Sequence, residues 1–232
     1  MVGRCVIVGF VSQKGGTGKS TLARALGAVV AAAGLRAKIA DLDPHQGTVL
    51  EWERIREENS TTPAITVEAF DTAAEAIAAA EEDELLIIDA PAGANRGTLE
   101  IAQAATLIVQ PSGASLDDLR PAVLLFHELV QAGIPRERLV VALCRILSDT
   151  EENMARRYIE TAGYEVLPGC IPERTAYREA QNRGQAVTET KHKALNARVE
   201  ELMEGLYTRV AAQLEARRKR SKSAARKRKE AS

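Results

Sequence analysis

Apolar residues in this chain come in short blocks, and the blocks alternate between two spacings. Residues 4–11 (RCVIVGFV) form a β-branched, nearly unbroken apolar run, the pattern of a strand buried on both faces. A glycine-rich stretch follows, then a helical pattern from Ser20 to Ala33 closed by Gly34. Residues 37–41 (AKIAD) predict a second strand, 48–58 a polar helix around Trp52, 65–69 a short strand and 72–82 an alanine-rich helix. Further strands are predicted at 85–89 (LLIID), 105–111 (ATLIVQP), 139–144 (LVVALC) and 165–171 (EVLPGCI), with helical segments between them. Such regular alternation predicts an α/β fold, doubly wound: a mainly parallel sheet with right-handed crossovers and helices on both faces.

From about Lys191 the chain reads as one helix, with Leu195, Val199, Leu202, Leu206 and Val210 at helical spacing, and this stripe should pack on the body. Beyond Leu214 no apolar residue is larger than alanine. The expected division is therefore a compact domain over 1–215 and a basic tail over 216–232, frayed or disordered.

Composition narrows the class. At 232 residues with 45% hydrophobic and 27% charged residues, the chain is long enough to bury a core and too apolar for wholesale disorder. Cys5, Cys144 and Cys170 are too few and too scattered for a disulfide framework or a paired-cysteine metal site. No apolar run approaches the ~18 residues of a membrane span, and the start lacks a signal-peptide cleavage pattern. A reducing cytoplasm is the expected compartment. His45, His127 and His192 show no ligand spacing. The net charge of −1 hides a split: residues 216–232 carry nine bases against one acid, so the tail is +8 and the body −9. An acidic body with a basic arm suggests a polyanionic partner.

The candidate chemistry lies between the first strand and its helix, in Gln13-Lys14-Gly15-Gly16-Thr17-Gly18-Lys19-Ser20-Thr21. Glycines let backbone N–H groups turn toward phosphate oxygens, and the helix N-terminus adds positive potential. Lys19 would reach the β- and γ-phosphates of ATP, and the Ser20 hydroxyl would ligate Mg²⁺. The general G-x-x-x-x-G-K-[ST] pattern fails at Gln13; the loop reads K-G-G-x-G-K-[ST], with an additional Lys14. Two carboxylates, Asp41 and Asp43, lie two residues apart at a strand end, where they should face the ligand crevice.

This loop resembles the deviant Walker A motif of ParA/MinD-type ATPases. The resemblance implies that Lys14 reaches across an ATP-sandwich homodimer to the partner's nucleotide, coupling ATP binding, dimerisation and hydrolysis. It also implies that Asp43, in Asp41-Leu42-Asp43-Pro44, orients the attacking water while Asp41 acts through metal-bound water. LLIIDAPAG at 85–93 resembles Walker B, with Asp89 holding Mg²⁺ through water. At 171–187 the chain resembles the ParA segment in which Pro172 lies by the adenine, and Arg145 is the expected base-stacking residue. QPSGASLDD at 110–118 resembles the corresponding stretch of small plasmid ParA proteins. The resemblance covers roughly 4–210 and implies a small ParA without an N-terminal helix-turn-helix domain.

The tail bases Arg217, Arg218, Lys219, Arg220, Lys222, Arg226, Lys227, Arg228 and Lys229 have no aromatic residue among them, which suits sequence-independent phosphate contacts. Arg178, Arg183, Arg198 and Arg209 could add to a DNA face. A stable membrane anchor is not expected, because the tail offers only alanines as apolar residues. The leading expectation is a nucleoid-associated partition ATPase released from DNA by a ParB-like centromere-binding protein. Two alternatives stand beside it: the same cycle positioning a protein cargo, and a biosynthetic ATP-dependent ligase of the wider class.

Overall fold

A computed structural model describes residues 5–44, 46–80, 83–93 and 96–230, without the side chains of 96, 221, 222 and 224–230. The strands are β1 (Val6–Phe10), β2 (Ala37–Asp41), β3 (Thr66–Ala69), β4 (Leu85–Asp89), β5 (Leu107–Ser112), β6 (Leu139–Ile146), β7 (Glu165–Val166) and β8 (Ile171–Pro172). The helices are α1 (Lys19–Ala32), α2 (Thr48–Glu58), α3 (Ala73–Ala79), α4 (Arg96–Ala104), α5 (Leu116–Gln131), α6 (Asp149–Thr161), α7 (Thr175–Gln181) and α8 (Lys193–Glu230). The sheet order is β3-β2-β4-β1-β5-β6-β7, with β8 also on β6. The pairings described are all parallel.

The central strands β1 and β4 are buried throughout, which explains why their sequences are continuous apolar runs and not alternating ones. Even-numbered β1 residues Val6, Val8 and Phe10 enter one core with α1, α2, α7 and α8; odd-numbered Ile7 faces a second core under α3, α4, α5 and α6. Helices thus cover both faces.

The expected strand at 165–171 is two separate short strands. Pro168 has no N–H for the ladder, and Gly169 is left-handed at φ 64°, so the run breaks between Val166 and Ile171. Gly169 also has no room for a side chain, because a Cβ there would stand 2.6 Å from the Arg198 carbonyl of α8.

The expected domain over 1–215 and the basic segment after it share one helix, since the α8 backbone runs through position 215 to Glu230. Val199, Leu202, Met203, Leu206, Val210 and Leu214 bury its first half against the β1 side of the sheet.

Candidate functional site

The cleft opens at the carboxyl ends of β1, β2, β4 and β6, where the strand order changes direction beside β1. Its volume is about 420 Å³. The phosphate loop forms one wall. Gly16 (φ 70°) and Gly18 (φ 116°) hold left-handed backbone that bends the chain from β1 into α1. Gly18 is the N-cap of α1, no side chain caps that terminus, and its first turn has no acid. The free N–H groups and the positive end of the helix therefore face the cleft.

Gly15, Gly16, Gly18, Lys19, Ser20 and Thr21 line the cleft together with Asp41, Asp43, Asp89, Arg145 and Pro172. The structure thus brings together nearly all of the residues expected to meet there. Thr17 is buried beside them, and its Oγ1 has no hydrogen-bond partner. Lys19 is 8% exposed; burial lowers its pKa, while Asp89 and Asp43 pull it back up.

The carboxylates divide by environment. Both Asp41 oxygens are engaged by backbone: Oδ1 accepts from Asp43 N at 3.0 Å, and Oδ2 accepts from Val49 N at 2.9 Å and Leu50 N at 3.4 Å. Asp41 therefore caps the start of α2 from across the loop and fixes where Asp43 sits. Asp89 is different. It is buried, its Oδ1 has no partner, and its pKa is pushed up to about 7. Burial is the main cause and the Asp41 charge adds to it; a hydrogen bond from Ser20 and the charges of Lys19 and Arg24 act in the opposite direction.

A buried carboxylate with an unmet oxygen, bonded to the Ser20 hydroxyl at an anion-binding loop, fits a Mg²⁺–nucleotide site. Among the described residues no group of three or more His, Cys, Asp or Glu forms a cage of its own.

Lys14 does not line the cleft. Its side chain is 42% exposed, and Nζ lies 3.4 Å from Asp118 Oδ1 on α5. Asp118 Oδ2 also meets Arg145 at 3.2 Å, and Arg145 holds left-handed backbone at φ 58°. His45 lies outside the described residues, and Gln46 lines the cleft.

Arg24 and Gln181 escaped the sequence reading. Arg24 is 7% exposed, donates to Gln181 Oε1 at 2.9 Å and to the Thr48 carbonyl, and stacks 5.4 Å from the Trp52 ring. It ties α1 to α2 and α7 at the floor of the cleft. An arginine inside the apolar run LARALGAVV was its only signal. Gln181 lies 160 residues from Thr21, whose hydroxyl it accepts at 3.4 Å, and nothing local announced it.

The proposed DNA residues separate. Arg218 pairs with Glu84 at 2.6 Å while staying exposed, and Arg217 has a buried Nη1. Arg198 pairs with Asp149 and Glu152, Arg209 with Glu165, and Arg178 with Glu173. Lys219 and Arg220 are exposed. The side chains of Lys222, Arg226, Lys227, Arg228 and Lys229 lie outside the described residues.

The profile of the CobQ/CobB/MinD/ParA nucleotide binding domain matches residues 8–187. The chain belongs to that family. Comparison with curated proteins by sequence returns no match. Among solved structures, the septum site-determining protein MinD of Pyrococcus horikoshii complexed with Mg-ADP is 16% identical, with a TM-score of 0.68 over 87% of this chain and 96% of that one. A complex of a McdA variant from Cyanothece with ATP is 18% identical, with a TM-score of 0.63 over 88% of this chain and 97% of that one. A putative plasmid partition protein of Borrelia burgdorferi bound to AMPPNP is 13% identical, with a TM-score of 0.66 over 88% of this chain and 99% of that one. At these identities the likeness shows a shared fold. ParA and MinD members of the family are ATPases that take ATP with Mg²⁺. Among the described residues no helix is long and apolar enough to cross a membrane.

Proposed function

We propose that the chain is a partition ATPase: ATP closes two copies into a homodimer, the dimer holds DNA without sequence preference, and a ParB-like partner triggers hydrolysis and release. The observation that carries this reading is the placement of Lys14. A complete set of phosphate-binding groups already lines the chain's own cleft, while Lys14 stays outside it, half exposed on Asp118. A second lysine so placed, on leaving Asp118, can serve a nucleotide held by another copy.

The roles within the cleft are those the family resemblance implies for residues that line it. Loop N–H groups and Lys19 hold the phosphates. Ser20 and Asp89 would hold Mg²⁺, with Asp41 fixing the loop beside them. Held there, the ion would supply positive charge against the negative charge that builds on the phosphate during transfer. Asp43 orients the water that attacks. Arg145 and Pro172 flank the side of the cleft away from Asp41, a place suited to the base. Phosphoryl transfer asks mainly for such positioning and charge neutralisation.

The test is anisotropy of a labelled random-sequence duplex at low and moderate salt, with no nucleotide, ADP or ATP/Mg²⁺. Binding is expected with ATP and should fall steeply with salt. Lys14→Ala should abolish ATP-dependent dimerisation while the single chain still binds nucleotide. Absence of DNA binding in every nucleotide state would overturn the partition reading.

A further inference from the structure

α8 runs antiparallel to the strands. Its first turns lie at the cleft, where the Tyr177 hydroxyl donates to the Leu195 carbonyl at 2.7 Å and Tyr177 itself lines the cleft wall. Further along, Arg209 pairs with Glu165, the first residue of β7. Arg218 meets Glu84, the residue before β4, at 2.6 Å. Asp89, at the far end of that strand, faces the nucleotide cleft. Arg218 therefore marks the edge of the sheet opposite the cleft.

The helix does not stop at that edge. Its backbone continues to Glu230, which at 1.5 Å per residue carries it about 18 Å past Arg218. This projection holds seven bases, Lys219, Arg220, Lys222, Arg226, Lys227, Arg228 and Lys229, against the single acid Glu230. Lys219 and Arg220 are exposed. The preceding body has a formal charge of −9, so it repels a polyanion while the projection attracts one. No residue beyond Leu214 is apolar and large enough to insert into a bilayer, which favours duplex phosphates over a lipid surface.

We propose that each protomer grips duplex DNA at the pole opposite its nucleotide cleft, so that the ATP-closed dimer carries two outward-pointing grips and bridges two separate duplexes. This rests on the homodimer proposed above, taken with the two clefts facing so that each Lys14 meets the other copy's nucleotide. Each α8 is about 57 Å long, so two pointing apart place their tips on the order of 110 Å from each other. At 3.4 Å per base pair that span is about 30 base pairs, more than a 20-base-pair duplex can cover. A short duplex engages one arm only, and the second arm stays open for another molecule.

The test uses the full-length chain with one 20-base-pair duplex fixed to beads and a second, fluorescent one free in solution. With ATP/Mg²⁺ at low salt, the beads should retain the protein and capture fluorescent duplex at least several-fold above the ADP control; raising the salt should release both. Retention of protein without capture would overturn the bridge and leave the partition reading standing. Failure to retain protein in any nucleotide state would overturn both. Capture without nucleotide would overturn the dimer requirement. Sedimentation with anionic phosphatidylserine vesicles in place of duplex retention would reassign the arm to membranes and overturn the proposal. A second variant combines Lys222→Gln, Arg226→Gln, Lys227→Gln, Arg228→Gln and Lys229→Gln. It should still elute as a dimer with ATP and should lose capture; undiminished capture would place the grip elsewhere and refute the assignment.

Discussion

Replacing Asp89 by asparagine should make the protein without nucleotide more stable at pH 8 and less stable at pH 4. Asp89 ionises near pH 7 in the folded chain against 3.8 in the unfolded one, because burial and Asp41 outweigh Ser20, Lys19 and Arg24. Between those values the folded state binds more protons than the unfolded state, so unfolding free energy falls as pH rises. The contribution is complete below pH 3.8, lost progressively up to about pH 7 and flat above it. A shift of about 3 units corresponds to about 4 kcal/mol at most. Asparagine removes this dependence, but an unpartnered amide donor at Oδ1's position costs ~1–3 kcal/mol. The variant should therefore be weaker by ~1–3 kcal/mol at pH 4 and stronger by a similar amount at pH 8. Urea unfolding in EDTA across that range measures both curves. Parallel curves for the two proteins would refute the account of Asp89 as a buried carboxylate with a raised pKa. ATP with Mg²⁺ should then stabilise the parent and leave the variant nearly unmoved.

Other substitutions probe the rest of the site. Gly18→Ala should destabilise by about 1–3 kcal/mol and weaken nucleotide binding, because the loop needs φ 116° there and a Cβ would stand 3.1 Å from Cys144 Sγ; a thermal melt and a nucleotide titration read the two effects. Gly184→Ala should cost about 3 kcal/mol or more, since its Cβ would lie 2.4 Å from the Arg56 backbone at φ 71°; unchanged melting would refute the packing argument. Arg24→Met should loosen α2 and α7 from α1 and weaken ATP binding most strongly in EDTA, where the cleft has lost one fixed positive charge; equal affinities measured calorimetrically with and without Mg²⁺ would count against it. Leu206→Ala should cost about 2–5 kcal/mol in urea unfolding, as its side chain is fully buried where α8 meets the core.

Local residue pattern was enough to place the strands that are buried on both faces, the helix after the glycine loop and the loop itself at the cleft. These are local matters: a continuous β-branched run has few folded options, and a Gly-rich turn before a helix already makes the anion site. Charge counting also separated the acidic body from the basic arm. Tertiary structure decided the rest, because it depended on neighbours far along the chain. Asp41 and Asp89 look alike at two strand ends; only the arrival of the α2 backbone at Asp41, and of nothing at Asp89 Oδ1, gives them different tasks. Lys14 was legible as an extra lysine, but its position outside the cleft comes from Asp118, 104 residues on. Arg24 was one charge in an apolar helix until Thr48 and Gln181 came together around it. The basic tail was visible as composition, yet its direction, away from the cleft, was set by the apolar stripe that lays α8 across the sheet and by Glu84 waiting at the far edge.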